Sequence, residues 1–329
     1  MKRKKLLGFL LMAAILLATP GIVAAGPAPQ NDAPGANPQQ PAADPQPPSG
    51  RYYVQIDINS SADAADLAQL LPDWDEAFER VPTDGVEPYT RRDTQHADPA
   101  HRPTKEQYDR YLWLVQHFRS LGWDNSKLHD ASPFQVIDPG FNAILIRSCA
   151  DLAVLAHELD EMDIANANRA RAEDGLAALE TLWSDEDGQY LCRDRITGAL
   201  IQNASIGGIL PVFAPVPSER AYEIARTIER WATDVRYLVP SENPHDPRFE
   251  AKRYWRGPAW LVMNYMIADG LNASGEGTVA SQIIRSSLDL ITQSGFAEYY
   301  DPISGDPCGG GRFTWTAAMV IEFLDQGAS

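Results

Sequence analysis

Basic residues are scarce in this 329-residue chain: 28 Lys and Arg stand against 45 Asp and Glu, a formal net charge of -17. That balance excludes a phosphate-tracking surface, and with it nucleic acid as a partner. Cysteine is scarcer still. Cys149, Cys192 and Cys308 are too few and too scattered for a disulfide framework, although one bridge is chemically open after export, and no Cys-x-x-Cys pair of the zinc-holding kind occurs. No Gly-x-Ser-x-Gly elbow is present, which removes the commonest serine hydrolase reading. No Lys-Ser or Lys-Thr follows Gly309-Gly310-Gly311, so that run is loop geometry for a close backbone approach and not a nucleotide loop. Metal ligands are not indicated. Asp93, His96, Asp98 and His101 share a Pro-rich loop and read as solvated or hydrogen-bonded groups. Asp185-Glu186-Asp187-Gly188 reads as a turn, because matching its glycine to that of a calcium loop puts Trp183 at the first ligand position. No cofactor is expected.

Long apolar runs are confined to one place. Lys2, Arg3, Lys4 and Lys5 precede an apolar stretch from Leu6 to about Ala18 and the small residues Val23-Ala24-Ala25, the pattern of a secretory signal peptide cleaved after Ala25. The stretch is shorter than the roughly 20 residues that span a bilayer, so no membrane association is expected after cleavage. The protein is expected outside the cytoplasm, secreted or held in the periplasm or cell envelope. Residues 26–50, rich in Pro, Ala, Gln and Asp, read as a disordered tether. Residues 51–329 are long enough for one large domain with a substantial core.

Apolar residues in that domain recur at three and four positions, the helical period. Tyr108, Tyr111, Val115, Phe118 and Leu121 line one side after Pro103-Thr104; Ile144, Leu152, Leu155 and Leu159 form a second stripe; Ala172, Leu176, Leu179 and Trp183 form a third. Further helices are predicted from Pro217 to Trp231, Pro258 to Leu271, Thr278 to Ile291 and about Phe313 to Leu324. Only Val54, Ile56 and Ile58 alternate as a strand, with small hairpins near Tyr190 and Ile201. The pattern is all-α, and its uneven loops rich in Gly, Pro, Trp and charge suggest a toroid of paired helices with a site at one end.

Two stretches carry the chemistry. Tyr254-Trp255-Arg256-Gly257-Pro258-Ala259-Trp260 gathers aromatic faces and a guanidinium at a helix entrance, with Asn264 one turn further in. These residues equally fit a packed helix start or a surface that stacks on sugar rings and bonds their hydroxyls. Glu298 lies among Phe296, Tyr299 and Tyr300, ahead of the glycine run and a helix bearing Trp315. Taken alone, Glu298 could equally be a surface residue and Asp301 a turn former.

Together the two stretches resemble the paired signatures of glycoside hydrolases of the mannosylglycerate hydrolase and processing α-glucosidase type. The similarity extends upstream through Tyr89-Thr90-Arg91-Arg92-Asp93, Arg102-Pro103-Thr104, Ser132-Pro133-Phe134, Asp138-Pro139 and Phe141-Asn142, covering roughly residues 72 to 326. The resemblance implies an (α/α)6 barrel that hydrolyses α-glycosides with inversion. It makes Glu298 the general base and places Tyr254, Trp255, Arg256, Trp260, Asn264 and Trp315 around a carbohydrate substrate. Inversion also needs a general acid about 6.5 to 9.5 Å from the base, so that water fits between them.

The acid is where this sequence departs. The family places it in an Asp-Asn-Ser-Pro stretch before a Trp-Asp pair; here the pair is Trp74-Asp75, and the aspartate position falls on Gln69. A glutamine cannot protonate a leaving oxygen. Asp66 and Asp73 are nearby substitutes in sequence only. The helices that normally precede the Trp-Asp pair are replaced by the tether and the Val54–Ile58 strand, so the barrel is expected to be incomplete and to expose apolar sides of its end helices. A partner subunit completing the barrel, a rearranged edge or a truncated gene product would each account for it. A non-catalytic carbohydrate-binding or scaffold protein derived from the fold is the alternative function.

Overall fold

A computed structural model gives the tertiary structure and describes residues 75–95 and 97–327, with side chains described to residue 324. The leader (1–25), the tether (26–50), the Val54–Ile58 alternation, Asp66, Gln69, Asp73, Trp74 and His96 lie outside the described residues.

The described part opens with the single turn α1 (Asp75–Phe78) and then α2 (Lys105–Ser120). The Thr104 hydroxyl accepts from the Gln107 backbone N–H and the Gln107 side chain accepts from Thr104 N–H, a reciprocal cap that starts α2 where Pro103-Thr104 predicted. Its stripe buries Tyr111, Leu114 and Val115, with Tyr111 stacked on Phe78. After the short α3 (Asn125–Ala131), Asp138 caps α4 (Pro139–Glu158), which packs along α5 (Met162–Leu179). The third apolar stripe does not continue to Trp183. The helix ends at Leu179, and Trp183 opens a hairpin in which β2 (Trp183–Ser184) pairs with β3 (Gln189–Tyr190), turning at Asp185–Gly188. A second small ribbon pairs β1 (Val136–Ile137) with β4 (Arg193–Asp194), both antiparallel.

The rest repeats one arrangement. α6 (Ile206–Ile209) runs into a 3-10 turn, Leu210–Phe213, with α7 (Ser218–Trp231) behind it; α8 (Leu261–Ala273) has α9 (Gly277–Ser294) behind it; α10 (Thr314–Gly327) packs on both. α4, the 206–213 segment, α8 and α10 are therefore successive neighbours in an inner row, backed by α5, α7 and α9. The row is tight. A Cβ on Gly270 of α8 would sit 2.1 Å from the Val212 carbonyl oxygen, so only glycine fits there.

This is an all-α architecture of paired helices, with four inner segments backed by three outer helices among the described residues. α10 exposes Ile321 and Leu324, and Leu152, Val154, Leu159, Met162 and Ile164 are exposed around the α4–α5 turn. Leu152 and Leu159 are thus outside the core that the periodicity suggested. α4 is long and apolar enough to cross a bilayer, but it buries Ala143, Ile146, Ala153 and Ala156 within the domain, as core helices do. Cys149, Cys192 and Cys308 are not joined by any disulfide.

Candidate active site

The two C-terminal stretches meet through the backbone. Ala259 N–H donates to the Tyr300 carbonyl (2.8 Å) and Tyr300 N–H donates back to Ala259 (3.1 Å). This bridge joins the loop entering α8 to β5 (Ala297–Tyr300), which pairs with β6 (Pro307–Gly311). α10 is tied to the same ribbon by the Thr316 hydroxyl, which donates to the Ala297 carbonyl at 2.6 Å. The hairpin turn closes on Asp301, a turn former: its carboxylate accepts from Ile303 N–H, Ser304 N–H and the Ser304 hydroxyl.

Glu298 projects from β5 into a prepared cradle. Its Oε2 accepts from Gly310 N–H at 3.0 Å and from Arg102 Nη2 at 3.1 Å, while among the described residues Oε1 has only Arg102 Nη1, at 3.5 Å. The glycine run is explained here. A Cβ on Gly309 (φ +71°) would lie 2.3 Å from Glu298 Oε2, so the strand can close on the carboxylate only because that residue has none.

Arg102 is the residue that sequence reasoning misses. It follows a short 3-10 turn, Pro99–His101, capped by Asp98, and its guanidinium lies 4.7 Å from the Tyr254 ring centroid. Burial works against its charge, but the Glu298 carboxylate and the Tyr254 and Tyr299 phenols more than offset this, holding Arg102 above its ordinary pKa. The only signal was its place in the upstream similarity, 196 residues from Glu298, and periodicity cannot join positions so far apart.

The aromatic residues form a stack beside this pair. Trp255 and Trp260 lie face to face at 4.0 Å and 6°, the other face of Trp260 meets Tyr299 at 4.7 Å, and Tyr254 sets its edge to all three. Tyr254 adopts φ +37°, a strained conformation of the sort that collects at functional sites. Trp315, partly buried at the start of α10, touches Phe313 edge to face.

Two of the expected sugar contacts are corrected by this geometry. Trp260 has both ring faces covered by protein, is 2 % exposed, and donates its indole N–H to the Tyr254 carbonyl; it supports the site and cannot stack on a ring. Asn264 is fully buried, and its carboxamide accepts from Val239 N–H and donates to the Leu238 carbonyl and the Ser287 hydroxyl, so it braces a loop beneath the site. Arg256 is also engaged, with Nη2 on both oxygens of Asp75 at 2.5 and 2.6 Å. That ion pair anchors Asp75, at the start of α1, to the loop that carries the aromatic stack.

Three buried polar atoms here have no hydrogen-bond partner among the described residues: Arg102 Nε, Trp255 Nε1 and Tyr299 Oη. Buried polar groups left unpaired are costly. The arrangement thus combines a carboxylate with one less-occupied oxygen, a guanidinium and unspent donors. The family description "Mannosylglycerate hydrolase MGH1-like glycoside hydrolase domain" matches residues 53–316.

The chain belongs to this glycoside hydrolase family. It is 46% identical over 258 residues to mannosylglycerate hydrolase MGH1 of Selaginella moellendorffii, covering 77% of this chain and 52% of that protein. It is 29% identical to the glucosylglycerate hydrolase of Mycolicibacterium hassiacum, over 77% of this chain and 58% of that one. Among solved structures, the GH63 mannosylglycerate hydrolase of Thermus thermophilus in complex with Tris and D-glycerate superimposes with a TM-score of 0.75 at 42% identity, covering 78% of this chain and 61% of that one. The chain therefore spans between about half and three-fifths of these relatives' lengths.

Proposed function

We propose that this protein is an exported glycoside hydrolase that acts with inversion on α-mannosides or α-glucosides, including their glycerate conjugates, with Glu298 as general base. The observation that carries this reading is the cradle around Glu298. A carboxylate fixed by Gly310 N–H and Arg102, with the Tyr254 ring against that guanidinium, suits a base that removes a proton from water attacking an anomeric carbon. The names of the relatives supply the sugar and glycerate classes, and the basic, apolar, small-residue order of residues 2–25 supports export. Tris, an ammonium polyol, and D-glycerate are expected ligands of the same cleft.

The acid position on Gln69 restricts the chemistry. Departure of a sugar or glycerate oxygen needs a proton, whereas fluoride leaves as a stable anion. The protein is therefore read as impaired toward ordinary glycosides and competent toward α-glycosyl fluorides. Gln69 also favours the second reading, a carbohydrate-binding protein without turnover. The exposed Ile321 and Leu324 flank of α10 supports a partner subunit that completes the barrel.

Purified protein is incubated with α-mannosyl and α-glucosyl fluoride and with the two glycerate conjugates, and the anomer released is read by NMR. Release of β-sugar from a fluoride, abolished in Glu298→Gln, supports the enzyme. Ligand binding with no turnover of any of the four rejects it in favour of the binding protein.

A further inference from the structure

Glu298 has two carboxylate oxygens in unequal surroundings. Oε2 accepts from the Gly310 amide at 3.0 Å and from Arg102 Nη2 at 3.1 Å, which uses both of its lone pairs. Among the described residues Oε1 meets only Arg102 Nη1, at a long 3.5 Å, which leaves it a lone pair there. The guanidinium is in turn fixed. It is 9 % exposed, lies over the Tyr254 ring at 4.7 Å and within 6.0 Å of the Tyr299 ring centroid, and has a turn capped by Asp98 directly before it. A fork with two parallel N–H groups sets the plane of a carboxylate, which a single ammonium cannot do.

The geometry points to Arg102 as the positioning residue of Glu298, which it turns so that Oε1 is the atom that accepts the proton from the attacking water. This rests on the base role proposed above and adds the oxygen that acts and the residue that selects it. In the step itself, the water oxygen bonds to the anomeric carbon and one water proton passes to Glu298 Oε1. The bond from that carbon to the leaving group breaks, and the leaving group keeps the electron pair; with a glycosyl fluoride it departs as fluoride and needs no acid.

Two measurements test the assignment, one with and one without turnover. With an α-glycosyl fluoride, Arg102→Gln is expected to lower kcat about 10²-fold with KM changed little, the size of effect that misplacing a reacting group produces. Arg102→Lys, which keeps the charge and loses the fork, is expected to fall between, and added guanidinium to restore part of the Arg102→Gln rate. Without turnover, the affinity for Tris is measured by calorimetry. Arg102→Gln releases the Glu298 carboxylate from its cation and is expected to bind Tris roughly tenfold tighter, Arg102→Lys about as the parent, and Glu298→Gln at least tenfold weaker.

An unchanged kcat in Arg102→Gln overturns the positioning role, as does Tris affinity that is unaltered by Arg102→Gln while Glu298→Gln weakens it. If the parent protein turns over no fluoride, the hydrolase reading fails by itself, and the Tris series alone then decides whether Arg102 governs Glu298.

Discussion

Glu298 on β5 and Asp138 at the head of α4 are both carboxylates shielded from solvent and both bonded to backbone amides, yet their surroundings are opposite. Glu298 is bonded to a guanidinium and to Gly310 N–H. Asp138 accepts from Phe141 N–H at 2.7 Å and from the Cys192 thiol at 3.5 Å, with no cation bonded to it among the described residues. Burial therefore dominates at Asp138 and pushes its pKa up to about 6, against the smaller opposing effects of Phe141 N–H, Cys192 and Gly140 N–H. One carboxylate has its charge matched by a guanidinium; the other caps a helix at an electrostatic cost. Equal burial thus says little about role until the partner is known.

The largest effect expected is at the matched site. Glu298→Gln keeps the shape and removes the proposed base, and turnover of an α-glycosyl fluoride should fall about 10³-fold; a loss under tenfold would break the contrast by showing that Glu298 is another structural carboxylate.

At Asp138 the direction with pH is diagnostic. Its folded pKa of about 6 lies above the unfolded value of 3.8, so its contribution is fully present below about pH 4 and is lost as pH rises through about 6. Relative to Asp138→Asn, which retains a capping oxygen, the parent protein should lose about 3 kcal/mol of stability across that interval, measured by urea unfolding at each pH. A flat difference would mean that Asp138 is as well compensated as Glu298.

Gly309→Ala should lower fluoride turnover about 10²-fold, because the new Cβ would enter the space of Glu298 Oε2, with circular dichroism unchanged. Full activity would show that Glu298 tolerates displacement and that its cradle is not needed.

The smallest effect concerns the helix behind Arg102. Thr104→Ala removes the cap of α2, and stability should drop by about 1 kcal/mol in thermal unfolding. If fluoride turnover falls further than this destabilisation explains, the cap is also steadying Arg102.

Much of the fold was legible in one dimension. The cap at Thr104 and the helices from 218, 261, 277 and 314 fall within a few residues of their expected positions, because capping chemistry and apolar period are local. Trp183 went wrong because its spacing continues a helical stripe, while the turn at Asp185–Gly188 pairs it with Tyr190 instead. The β5–β6 ribbon was not anticipated either, since three glycines give a strand no side-chain pattern to read. In the site, Glu298, Tyr254 and Trp255 were legible as residues. What Trp260 and Asn264 do was not, because a Trp with both faces covered and one that stacks on sugar have the same letter.

The sequence by itself determined an acidic, all-α chain with a glycosidase-type pair of motifs and a glutamine where the acid is expected. Only the tertiary structure decided what Glu298 faces. Arg102 reaches it from a distant loop, Gly310 offers it an amide, and Gly309 leaves it room. The physical reason is range: caps and periodicity act over a few residues, whereas an ion pair and a backbone cradle depend on which segments folding brings within about 3 Å of one another.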